Sequence, residues 1–182
     1  MAYTDLKWDG KQNMGGLLMR AYWMPVADLG VLPALSAIGK LNVIANIIAL
    51  EGKGFIEIYS TPNKNKIDDN TIGETDGKSK ENVYECFYPG DEEAVAEFEA
   101  QAMNTPCVLL IPDTRGRMRV IGLCRLNPAT TVLSAELPAY MTGSNGTSGA
   151  AKADLKGKTF QFTANAPHAP LFYTGSVPLL TD

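Results

Sequence analysis

Between Cys107 and Arg125 the chain reads CVLLIPDTRGRMRVIGLCR, two apolar, β-branched runs around Asp113-Thr114-Arg115-Gly116. Two such runs joined by a turn sequence form an antiparallel strand pair. Asp in the first turn position and Gly where a left-handed residue is needed fit a bulged hairpin. Arg115, Arg117 and Arg119 alternate across this turn, with Met118 and Val120 on either side of Arg119. Side chains of a strand alternate between faces, so Met118 and Val120 go to the core and the arginines to a solvated face. The candidate turn residues are therefore Asp113, Arg115, Gly116 and Arg117. Register stays open: a two-residue turn at Arg115-Gly116 sets Cys107 across from Cys124, and a bulged turn moves them out of pairing.

The same reading extends to both sides. Leu17 to Trp23 reads as a strand ended by Pro25, and LNVIANIIALEGKGFIEIYS as a hairpin turning at Gly52-Lys53-Gly54. VYECFYPG, TTVLSAEL, KTFQFTANA and LFYTG read as further strands, the last two as a pair, with MTGSNGTSGAAKADLKG a Gly- and Ser-rich loop before them. One helix stands out at 91–103, with Asp91, Glu92 and Glu93 in its first turn, where the helix dipole favours acids. Val95, Phe98 and Ala102 line its apolar face, and Thr105-Pro106 stops it. Many short strands and one helix make the chain mainly β, a sandwich or barrel, in one domain over 1–182.

The segment 61–82, TPNKNKIDDNTIGETDGKSKEN, is nearly empty of large apolar residues and too long for an ordinary connection. It reads as either a long polar working loop or a disordered stretch. Its mixed charges, Lys64, Lys66, Asp68, Asp69, Glu74 and Lys78, suit polar contacts with a neighbouring molecule.

No catalytic, cofactor or metal motif survives inspection. GKQNMGGL has the glycine spacing of a phosphate loop but Gly16 and Leu17 where Lys and Ser or Thr must stand. DDNTIGETDGKS places Ile72 and Ser79 at calcium-ligand positions. His168 is the only histidine, so an enzyme of the cysteine hydrolase type would need it beside Cys107 or Cys124. The acids Glu92, Glu93, Glu97 and Glu99 read as solvent-facing helix residues, and NGT at Asn145 as a chance sequon. Three widely spaced cysteines suit buried thiols better than disulfides. A formal net charge of -4 argues against wholesale coating of nucleic acid, though a module built on Arg115, Arg117, Arg119 and Arg125 is a distinct alternative. No apolar run approaches the roughly 18 residues of a membrane span, and MAYTDLKWDG lacks the pattern of a signal peptide, so the expectation is a cytoplasmic chain with no membrane contact.

Several phrases in order resemble the structural proteins of tailed bacteriophages, the major tail tube type of phages with Bacteroidetes-like hosts. These are NMGGLLMRAYWMPVADL, GFIEIYSTP with ETDGKSKENVYECFYPG, DEEAVAEFEAQAMNTPCVLLIPDTRGRMRVIG, and GTSGAAKADLKGKTFQFTANAPHAPLFYTG. The resemblance implies a β-sandwich or barrel with one flanking helix and a long extended loop. It also implies a non-enzyme that self-assembles into stacked rings, commonly hexameric, forming the conduit through which DNA passes without sequence-specific binding. Its partners would be itself and other phage tail or head proteins, and its place the virion, assembled in the bacterial cytoplasm. Residues 61–82 would be the loop reaching a neighbour. Leu155, at a place often basic in the family, and the proline-rich APHAP depart from the pattern. The alternative within the same particle is a capsid decoration or head-tail connector protein.

Overall fold

The computed structural model describes residues 14–180; MAYTDLKWDG and the start of GKQNMGGL lie outside them. The strands are β1 (Arg20–Pro25), β2 (Leu29–Val31), β3 (Asn42–Val43), β4 (Ile48–Ala49), β5 (Ile56–Tyr59), β6 (Lys66–Ile72) and β7 (Ser79–Pro89). After helix α1 (Glu93–Ala102) follow β8 (Cys107–Pro112), β9 (Met118–Ile121), β10 (Tyr140–Thr147), β11 (Gly157–Ala166) and β12 (Leu171–Tyr173). The fold is mainly β, with α1 its single α-helix among the described residues.

A six-stranded sheet, in the order β3-β12-β9-β8-β1-β5, is buried on both faces. Strand β1 shows how: Ala21 and Trp23 enter one core, Tyr22 and Met24 the other. Strand β8 does the same with Cys107, Leu109 and Ile111 against Val108 and Leu110, which is why its sequence has no polar alternation. The second sheet, β10-β11-β7-β6, packs one face onto the first sheet through Tyr84, Cys86, Phe160, Phe162 and Ala164, and on its other face Val83 and Phe87 are also buried. Helix α1 adds Val95 and Ala102 to this core, and its Phe98 lies edge-on between Trp23 and Phe160, 5.5 Å from each ring centre. The other core is closed by Leu35, Ile47, Phe55 and Leu133 from outside the main strands.

The β8–β9 hairpin forms as expected. The Asp113 amide donates to Arg117 O at 2.7 Å, and Gly116 adopts φ 74°, the left-handed conformation that glycine tolerates. The bulged form is present: Leu109 pairs with Ile121 and Pro112 with Met118, so Cys107 faces Ala139 and Cys124 faces Ser134.

Five expectations are corrected. Most of the polar segment 61–82 is a β-hairpin, since Lys66–Ile72 pairs residue for residue with Ser79–Glu85 around a turn at 73–78. Backbone pairing supplies what the side chains lack, and Ile67 packs on the core opposite Tyr84. Gly52-Lys53-Gly54 does not join a hairpin: β4 pairs with β2 and β5 with β1. The front half of the Gly- and Ser-rich stretch is β10, laddered to β11 from Tyr140 to Thr147, while TTVLSAEL makes only isolated bridges. Finally, β12 pairs with β9 and β3 rather than with β11, which places the last strands in different sheets.

Candidate functional site

The two residue groups singled out by sequence, the charged segment and the arginine turn, converge at one end of the sandwich. A cleft of about 410 Å³ opens there, lined by Leu17, Asn65, Ile67, Asp69, Asp113 and Arg119 among others. Strand β6 delivers Asp69 from one sheet, and the β8–β9 hairpin delivers Asp113 and Arg119 from the other. The chain entering β1 closes one side: Asn65 Nδ2 donates to Leu18 O at 2.8 Å, and Thr114 Oγ1 donates to Met14 O at 3.2 Å.

Asp113 organises the turn. One carboxylate oxygen accepts from the Arg115 and Arg117 amides at 2.8 and 3.0 Å, and the other from Arg117 Nη2 at 3.1 Å. Burial alone would raise its pKa, but the two amides and the guanidinium outweigh it and hold the carboxyl below its ordinary range.

The arginines are a solvated face only in part: Arg115 is exposed and Arg117 partly exposed, whereas Arg119 is half-buried. Met118 and Val120 enter one core as foreseen, while on the opposite face of β9 Ile121 enters the other core and Arg119 lines the cleft. The pairing of Arg119 with Phe172 brings both guanidiniums onto one ring, Arg119 at 4.1 Å and Arg117 at 4.7 Å from its centre. Burial lowers the Arg119 pKa, partly opposed by Asp69.

The remaining charged residues are dispersed. Lys66 pairs with Asp68 at 2.9 Å, and Asp69 binds Lys80 at 3.0 Å. Lys78 donates to Gly73 O within the hairpin turn, where Glu74 also lies, and Lys64 precedes β6. Asn65, Lys80 and Phe172 were missed by sequence reasoning. Lys80 carries a weak signal, alternation with Asn82 and Tyr84, whereas the role of Phe172 depends on a pairing that no local pattern reveals.

His168 is held by backbone: its Nε2 accepts from the Arg125 amide at 3.0 Å, and its Nδ1 faces Ala169 O at 2.8 Å. Burial and the nearby Arg125 keep its pKa low. Cys107 Sγ donates to Ala139 O, and burial pushes its pKa up to about 12. Neither contact joins histidine to thiol. Among the described residues no three His, Cys, Asp or Glu gather as a metal site, and no helix is long and apolar enough to cross a membrane.

What the geometry offers is a charged cleft between two sheets and, beside it, the polar outer face of the second sheet. Comparison with protein-family models, with curated protein sequences and with solved structures gives no match.

Proposed function

We propose that the chain is a virion structural protein of the phage tail tube type, whose copies join edge to edge into rings that stack as a conduit for DNA. The observation that carries this reading is the four-stranded sheet. Its two outer strands are long, seven residues in β6 and eight in β10, and neither has a further strand beside it among the described residues. Every neighbouring pair in the sheet is antiparallel, so β6 and β10 run in opposite directions. An added β10 from the next copy would meet β6 antiparallel, continuing the pattern around a ring.

The outer face of that sheet is polar apart from the buried Val83 and Phe87 of β7. Glu81 and Glu85 of β7, Lys66 and Asp68 of β6, and Thr159 and Gln161 of β11 point away from the core, three acids against one lysine. A surface of this kind does not hold phosphates, which suits a wall along which DNA slides.

Negative-stain microscopy of concentrated protein tests the proposal. Rings or tubes of uniform width are expected. Single particles at every concentration would overturn it, and rings that never stack would favour the connector alternative.

A further inference from the structure

Around the cleft the carboxylates are already taken. Asp69 is bound to Lys80 at 3.0 Å, and Asp113 to Arg117 at 3.1 Å. Lys66, also in the lining, is paired with Asp68 at 2.9 Å, which leaves Arg119 as the lining cation without an ion-pair partner. Among the described residues no carboxylate reaches ion-pair distance from it, and its Nε is shut off from solvent without a hydrogen-bond partner. The guanidinium carbon lies over the Phe172 ring, 4.1 Å from its centre, and its hydrogen bonds form along the N–H edge. Asp69 and Asp113 act on this half-buried cation only from beyond ion-pair distance, so its burial is incompletely offset, and an anion arriving at that edge relieves the remaining cost.

We infer that the cleft is a receptor for a single carboxylate group, gripped through the guanidinium edge of Arg119. Three features select a carboxylate over a phosphate. One cation lacks an ion-pair partner, the carboxylates Asp69 and Asp113 balance the charges of Lys66 and Arg119 in the lining and so leave no excess to hold a dianion, and two coplanar oxygens match the guanidinium fork. A volume of about 410 Å³ admits a small organic acid or an acidic side chain of a second copy. The inference does not depend on the tail tube reading.

The test is a titration of the whole protein with sodium acetate at constant ionic strength, following the Arg119 Nε–Hε resonance, with inorganic phosphate as the comparison. Sedimentation of the parent, Arg119→Gln and Arg119→Lys runs alongside. The expected result is a saturable acetate shift, with a much weaker response to phosphate. A shift in dilute monomer with association unchanged in Arg119→Gln assigns the site to a small acid. Self-association weakened about tenfold in Arg119→Gln, and competed by acetate, assigns it to a second copy. Arg119→Lys keeps the charge without the fork, so it should bind acetate more weakly than the parent. No saturable acetate shift together with unchanged association, or a phosphate response equal to that of acetate, overturns the inference. The parent titration decides alone if Arg119→Gln does not fold.

Discussion

Asp113 shows how one side chain can settle the geometry of a whole hairpin. Its carboxylate receives two backbone amides and a guanidinium, so Asp113→Ala leaves the Arg115 and Arg117 amides without their acceptor. The expected loss in urea unfolding is about 1–3 kcal/mol. Because the folded pKa is depressed, this stabilisation is complete above the unfolded value of about 3.9 and fades as pH falls through the folded one. In Asp113→Asn, that part of the acid-side slope should be absent. The turn was legible in sequence because Asp and Gly act on their immediate neighbours. The stack of Arg117 and Arg119 on Phe172 was not, since it joins residues more than fifty positions apart through a strand pairing. Phe172→Leu keeps an apolar side chain but removes the ring face, so a loss of about 0.5–2 kcal/mol is expected, measured by the same unfolding curve.

Helix α1 is tied to the second sheet through Glu99, which accepts from Ser144 of β10 and pairs with Lys158 of β11. Lys158 and Ser144 hold the Glu99 carboxyl below its usual pKa. Its contribution is therefore present above about pH 4.3 and is lost as pH falls through the folded value. Glu99→Gln should speed hydrogen exchange of the α1 amides at pH 7 and flatten their acid dependence, while β8 amides stay protected. A second test concerns Gly54, past which the Leu179–Leu180 backbone runs too close for any β-carbon. Those residues are held by Phe55, whose amide donates to Pro178 O at 2.8 Å and whose carbonyl accepts from Leu180 at 3.0 Å. Gly54→Ala should release this contact at a cost of about 1–3 kcal/mol, read as fast exchange at Phe55 and Leu180. Elements with their own apolar signal, β7, β8, β9, β11 and α1, were legible. Strands β6 and β10 were not, because each shows its partner mostly backbone and small or polar side chains, and composition alone then reads as loop.

Across the molecule the three thiols act as sensors of its integrity. Cys86, Cys107 and Cys124 are all buried, and burial raises the pKa of Cys86 and Cys107 to about 12. A thiol reagent at pH 8 should leave the folded protein unmodified and label all three at once after denaturation. Stepwise labelling would show that the two sheets open separately. The six-stranded sheet is assembled from distant parts of the chain: β1 pairs with β8, and β12 sits between β9 and β3. During synthesis, then, β3 waits for its neighbour until Leu171–Tyr173 has left the ribosome, and β9 keeps one edge bare for the same interval. A nascent chain with such a vacancy is exposed to mispairing with its siblings on the same polysome, and the late arrival of three residues closes that window.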